Sequence, residues 1–353
     1  MSVHALDFGT TRTGQPTHLY RLRNVAGMEV DVSDLGASIV SVRVPDTEGN
    51  LVDVSLGFDD PSRYEHNTHA MGGVVGRFAN RIGGASFELD GRTFELTANE
   101  GQNTLHGGCD MWYERLWEGA MVGRKGDRRR GSSADTVIFG LFSPDGDQGF
   151  PGDLDVRVTY KLTDANELHI TYDAQPSVPT VVNLTNHAYW NLNGHDSGEV
   201  LGHLLRVAAE RYAPGDAHRL PNGRLVNVGG TPFDFRLPKA LGRDLTGRIT
   251  NYDHTLLLGP AGRMRHVATL TGEKTGIVMD VHTDLPAIQV YTAQQLMTEG
   301  AKDGAAYRPY GGIALETQYV PDAMHHESFE QPVFTPEKPF HSRTTYQFSV
   351  LDE

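Results

Sequence analysis

Glycine and proline punctuate this chain at about one residue in six, 40 and 18 of 353, and that spacing constrains the fold more than any other feature. Proline removes a backbone donor and glycine weakens a helix interior, so long helices do not survive between such breaks. What remains between them is short and alternating. Residues 51–58 alternate with period two over most of their length. Residues 87–96 make two such runs joined by Asp90-Gly91, a two-residue hairpin signal because both turn positions need a positive φ. Residues 156–162 and 168–172 predict a second pair, and 276–283 and 287–292 a third, joined by Asp284-Leu-Pro286. No stretch sustains a 3.6-residue period. Helical turns are expected only around 197–203 and 238–245. The expectation is an all-β chain: antiparallel sheets packed as one large β-sandwich, with 1–353 as a single domain.

Composition narrows the function. Lys and Arg number 31 against 45 Asp and Glu, a formal net charge of −14. An acidic chain repels phosphate, so no nucleic-acid partner is expected. The one basic run, Arg128-Arg129-Arg130, sits in a Gly/Ser-rich segment, 121–134, that reads as an exposed insertion. The single cysteine, Cys109, allows no intramolecular disulfide and suits a reducing compartment. The first residues lack a basic region followed by an apolar one, so no signal peptide is expected. No apolar run approaches the ~20 residues of a membrane helix. A cytoplasmic protein acting as a monomer or homodimer is the expectation.

Phosphate loops, dinucleotide-binding glycine motifs, the H-E-x-x-H zinc motif and the G-x-S-x-G elbow are all missing from the sequence. His325-His326, read as strand neighbours, would point to opposite faces and make a poor chelate. Neither a metal nor another cofactor is expected.

Four segments are instead unusually polar for strands that should be buried: Gly76-Arg-Phe-Ala-Asn-Arg-Ile-Gly83, Asn103-Thr-Leu-His-Gly-Gly108, Asn183-Leu-Thr-Asn-His-Ala-Tyr-Trp-Asn-Leu192 and Gly311-Gly-Ile-Ala-Leu-Glu-Thr-Gln318. In the third, strand alternation puts Asn183, Thr185, His187 and Tyr189 on one face and Leu184, Asn186, Ala188 and Trp190 on the other. Each unpaired buried polar group costs about 1–3 kcal/mol, so these side chains need partners. A polyhydroxylated ligand would supply them, and so would a closed internal network. In the fourth, Glu316 shares a face with Ala314 and Gln318, opposite Ile313, Leu315 and Thr317. A carboxyl between apolar neighbours is desolvated and its pKa rises, which suits a general base; an exposed Glu paired with an arginine is the plain structural alternative. Asp253 in Tyr252-Asp-His-Thr255 reads on its own as a turn residue. Gln289 lies opposite Ile288 and Val290, and His106 stands in a glycine-flanked turn.

In this order, the segments resemble the signatures of the aldose 1-epimerase (galactose mutarotase) family: Gly76-Arg-Phe-Ala-Asn-Arg-Ile82, Asn103-Thr-Leu-His-Gly-Gly108, Asn183-Leu-Thr-Asn-His187, Tyr252-Asp-His254, and Leu315-Glu-Thr-Gln318 with Pro321-Asp322-Ala323. The resemblance covers residues 76 to 323. It implies a supersandwich with a long open cleft and no cofactor, and interconversion of the α and β anomers of free aldohexoses such as galactose and glucose. It implies that His187 is the general acid and Glu316 the general base. It further implies that Arg81, His106 and Asp253 hold sugar hydroxyls or the ring oxygen, and that Asn80, Tyr189 and Gln289 line the pocket.

Residue types and reaction agree. Opening a hemiacetal needs a proton given to the ring oxygen and one taken from the C1 hydroxyl, and a His and a Glu on opposite sides of the sugar do both. On this basis His187 should be charged at rest, helped by Asp253, and Glu316 ionised. The acidic limb of a bell-shaped pH profile would then report the base and the alkaline limb the acid. A hexose-6-phosphate 1-epimerase on the same fold would need extra basic residues at the rim. A non-catalytic carbohydrate-binding protein would need no acid–base pair. A glycosidase would need two carboxylates, and His187 would have no role.

Overall fold

A computed structural model describes residues 1–123, 134–247 and 249–351. Among these, regular helix is confined to one four-residue turn, Pro61–Tyr64, and a few 3₁₀ turns. Every paired strand is antiparallel. The Asp90-Gly91 hairpin forms as the sequence predicts, between Ser86–Leu89 and Arg92–Glu95, with φ of 52° and 73° at the turn.

Three sheets carry the architecture. The first five strands, from Ser2–Thr10 to Leu51–Asp53, form one sheet in sequence order. A nine-stranded sheet runs from the edge strand Glu118–Gly123 through Leu154–Leu162, Glu167–Pro176 and Phe340–Val350 to Lys239–Ala240. A six-stranded sheet places Tyr189–Trp190, Ile313–Gln318, Ala287–Tyr291, Asp253–Leu257, Arg211–Ala213 and Val226–Asn227 side by side.

All three bury their apolar faces in one core. Val30, Val32 and Val42 come from the first sheet, Val156, Val158 and Tyr160 from the second, and Ile288, Val290, Ile313 and Leu315 from the third. Each such side chain contributes about 1.5–3 kcal/mol by leaving water. Trp190 ties two sheets together, its ring 4.9 Å from Tyr346 and 5.8 Å from Phe348.

The structure corrects four expectations. Ile277–Thr283 and Ala287–Tyr291 do not pair: the first joins the nine-stranded sheet and the second the six-stranded one. Residues 284–286 are therefore a crossover between sheets, since Pro286 and a three-residue link permit a bend as readily as a hairpin. Residues 197–203 form turns and bends rather than helix, whereas 238–245 do contain a 3₁₀ turn, Leu241–Asp244. In the basic segment, 121–123 close the edge strand Glu118–Gly123, so they are not inserted loop; 124–133, with Arg128–Arg130, lie outside the described residues. His325 ends the 3₁₀ turn Ala323–His325 and His326 follows it, rather than standing on a strand, and both rings reach the carboxylate of Asp322, at 2.6 and 3.5 Å.

Candidate active site

Sheet register assembles the site. Thr255 lies opposite Gln289, and Gln289 opposite Glu316, across three neighbouring strands. Two residues along, Asp253 lies opposite Tyr291, Tyr291 opposite Ala314, and Ala314 opposite Tyr189. Side chains two apart on a strand share a face, so these rows are stacked on one side of the six-stranded sheet. The other side presents Ile288, Val290, Ile313 and Leu315 to the core. Over this face, beside Tyr189 and Tyr291, the fold leaves a depression.

That depression is a cleft of about 190 Å³, lined among others by Asn80, Arg81, His106, His187, Tyr189, Asp253 and Glu316. The volume lies below the roughly 300–1,000 Å³ typical of drug-sized ligands and matches one sugar ring better than a polymer. Gln289 lines an adjoining cavity instead, which shares Asn80, Asp253 and Arg219 with the first. Its side chain is a clamp: Nε2 donates to Asp253 Oδ1 at 2.7 Å and Oε1 accepts from Thr255 Oγ1 at 2.5 Å.

Two loops close over the sheet. Asn80 and His106 both adopt left-handed backbone, φ 67° and 52°. They brace each other: the His106 N–H donates to the Asn80 carbonyl at 3.0 Å, and the Asn80 N–H donates to His106 Nδ1 at 3.2 Å. A backbone donor at Nδ1 fixes the tautomer, leaving the proton on Nε2. Burial, with His187 and Arg81 nearby, holds His106 well below the usual histidine range. His106 is thus a neutral donor. Gly107 follows at φ 88°, and any Cβ there would collide with the Gly76 carbonyl, which is why glycine must follow the histidine. Arg81 is pinned by Glu100 through two bonds of 2.6 and 2.7 Å.

His187 and Glu316 meet at the centre, with Nε2 3.6 Å from Oε1. Both are almost fully buried, 5% and 2% exposed. His187 Nδ1 and Glu316 Oε2 make no hydrogen bond. Burial pushes the Glu316 carboxyl up to about 8, with the Asp253 carboxylate adding to the rise and Arg81 opposing it. Burial likewise pushes His187 down to about 4, with His69 nearby adding to the fall. Desolvation outweighs neighbouring charge at both groups. Both shifts favour the neutral pair, protonated Glu316 beside uncharged His187, over the ion pair. This reverses the expected resting state, and Asp253 acts on Glu316 rather than on His187.

The other polar groups of 183–192 find partners within the protein. The Tyr189 hydroxyl donates to the His69 carbonyl at 3.0 Å, so the tyrosine lines the cleft through its ring, 4.9 Å from that of His187. Asn183 bridges residues 79 and 319, and Asn186 bonds Gly72, Tyr160 and Ala188. Both asparagines are satisfied without a ligand, mostly by backbone groups. The sequence reading did not single out His69, Glu100, Arg219 or Tyr291, all of which line the cleft. Tyr291 was within reach, two residues from Gln289 on the same face; the others come from loops that carry no periodicity.

The aldose 1-epimerase family model matches residues 18–347. Aldose 1-epimerase of Escherichia coli K12 is 36% identical over 343 residues, covering 95% of this chain and 96% of its own. Galactose mutarotase of Bos taurus is 37% identical over 325 residues, 92% of each chain. Among solved structures, an aldose epimerase homologue from C. elegans superposes with a TM-score of 0.86 at 29% identity, covering 95% of this chain and all of the other. Galactose 1-epimerase from Lactobacillus acidophilus does so with 0.83 at 26% identity, covering both chains fully. A β-supersandwich with a buried histidine and glutamate side by side in a monosaccharide-sized cleft fits a class of sugar isomerases. The chain belongs to the aldose 1-epimerase family, the mutarotases, which interconvert the α and β anomers of free aldoses.

Proposed function

We propose that this protein equilibrates the anomers of free aldohexoses such as D-galactose and D-glucose, with His187 and Glu316 as the proton-transferring pair. The observation that supports it best is the juxtaposition of the two side chains, buried and 3.6 Å apart. In the charged arrangement His187 gives a proton to the ring oxygen while Glu316 takes one from the C1 hydroxyl. Burial helps this step, because it makes a buried imidazolium a stronger acid and a buried carboxylate a stronger base. Ring opening leaves neutral His187 and protonated Glu316, the arrangement this geometry favours. Rotation about C1–C2 and the reverse transfers close the other anomer. The pair holds one proton throughout, and sugar hydroxyls bonded to both groups favour the charged arrangement when the cyclic form binds.

The remaining roles follow position. Asp253, set by Gln289, accepts from sugar hydroxyls, His106 Nε2–H donates, and Arg81 supplies further donors beside Asn80. The two arginines at the cleft are each committed to a carboxylate, Arg81 to Glu100 and Arg219 to Asp253. That pairing favours an uncharged sugar over a hexose 6-phosphate. The His187–Glu316 pair has no use in a passive binding protein, and Asp253 is too occupied to serve as a glycosidase carboxylate.

The continuous core supports one domain over 1–353. No helix among the described residues is long and apolar enough to cross a membrane. The exposed free thiol of Cys109 supports a cytoplasmic location. Polarimetry of freshly dissolved α-D-galactose and α-D-glucose, beside buffer alone, tests the proposal: enzyme should speed the approach to the same final rotation.

Activity should also survive exhaustive dialysis against EDTA. The open-chain aldehyde is neutral and needs no Lewis acid, and no group of three metal-ligating side chains stands together among the described residues. Loss of activity that zinc or magnesium restores would contradict this.

A further inference from the structure

Arg219 belongs to no element of the sheet, yet it borders both cavities. It sits in a loop that is ordered without its side chain. Asp216 Oδ1 accepts from the N–H groups of His218 and Leu220 at 2.8 and 3.0 Å, the Arg219 N–H donates to the Asp216 carbonyl at 3.0 Å, and Gly215 bridges to Pro221. Arg219 itself is left-handed, φ 61°. That conformation favours glycine or asparagine and strains a long side chain. Strain of this kind persists where the side chain is put to use. The use is visible: Arg219 Nε lies 3.3 Å from Asp253 Oδ2, while Gln289 holds Oδ1.

We propose that Arg219 is a positioning residue for mutarotation. Its guanidinium fixes the second oxygen of Asp253 where a sugar hydroxyl meets it, and it forms the wall between the catalytic cleft and the adjoining cavity of about 160 Å³. Gln289 alone leaves the Asp253 carboxylate free to turn about one bond; Gln289 and Arg219 together fix its plane. The inference rests on Asp253 receiving a substrate hydroxyl.

Arg219→Gly is the informative variant, because glycine fits the left-handed backbone without strain. Its melting temperature should fall by no more than about 2 °C. A merely structural arginine would leave kinetics unchanged. A positioning arginine predicts a KM for galactose raised roughly three- to fivefold, the scale of losing a part-exposed ion pair, with kcat nearly unchanged. Arg219→Asn, which also tolerates this conformation, should behave alike, and Arg219→Lys should recover part of the KM. Asp253→Asn should raise KM by itself, and the double variant Arg219→Gly/Asp253→Asn should be no worse than Asp253→Asn, since both act through one carboxylate. Raised KM in Asp253→Asn with a parental KM in Arg219→Gly and Arg219→Asn would overturn the role of Arg219 while leaving that of Asp253. A parental KM in Asp253→Asn would overturn the reading of Asp253 itself, and the inference with it.

Discussion

Glu316→Gln should lower kcat for galactose mutarotation by about 10²–10⁴, the usual worth of a positioned general base, with KM nearly unchanged. The substitution is unusually clean here. Burial pushes the Glu316 carboxyl up to about 8, so at neutral pH it is a neutral acid that glutamine closely mimics in shape and charge. The introduced amide would keep the packing beside Ala314 and the register opposite Gln289, and thermal melting should shift by no more than about 2 °C. It cannot release a proton and take one back. A kcat within tenfold of the parent, in a folded variant, would remove Glu316 from the chemistry.

His187→Asn should have an effect of the same order on kcat, about 10²–10⁴. Asparagine is a hydrogen-bonding group without a titratable proton, so the ring oxygen keeps a donor but loses an acid. The imidazole is held by its backbone, whose N–H donates to the Gly73 carbonyl at 2.9 Å and whose carbonyl accepts from the Gly72 N–H at 3.0 Å. Those bonds survive the substitution. The ring contact with Tyr189, 4.9 Å between centroids, does not, and some loss of stability is expected. Circular dichroism with polarimetric kinetics separates the two effects: a folded protein with kcat down by orders of magnitude supports the assignment, and near-parental kcat contradicts it.

Much of this site was legible in the sequence because strand alternation is simple. Once Ile313–Gln318 is a strand, Glu316 must lie opposite Ile313 and Leu315, and the structure places it so. The same rule separated His187 and Tyr189 from Leu184, Ala188 and Trp190, which do pack in the core. Pairing between strands was harder, because a short link such as 284–286 looks the same whether the chain turns back or crosses to another sheet. Protonation was harder still. The charge on His187 depends on how deeply it is buried, and burial is a property of the whole sandwich, including His106 and Tyr291, far from it in sequence, whose rings stand 5.5 and 6.2 Å from its own. Asn183 and Asn186 show the converse: polar residues in a strand whose partners are distant backbone groups, indistinguishable in sequence from ligand contacts. Arg219 gave no signal because its loop has no period and its partner, Asp253, is remote in sequence.

The pH dependence of kcat/KM for galactose, followed by polarimetry, tests the proton-sharing pair most directly. The pair is active when it holds one proton, so activity should fall at both ends. Below about 4, His187 becomes charged while Glu316 keeps its proton; above about 8, Glu316 loses the last one. The acidic limb thus reports His187 and the alkaline limb Glu316, the opposite of what ordinary side-chain values suggest, with both limbs belonging to the pair as a unit. A plateau between them, and an alkaline limb absent from the residual activity of Glu316→Gln, is the predicted result. An alkaline limb at the ordinary histidine value, near 6.5, or an alkaline limb unchanged in Glu316→Gln, would contradict it.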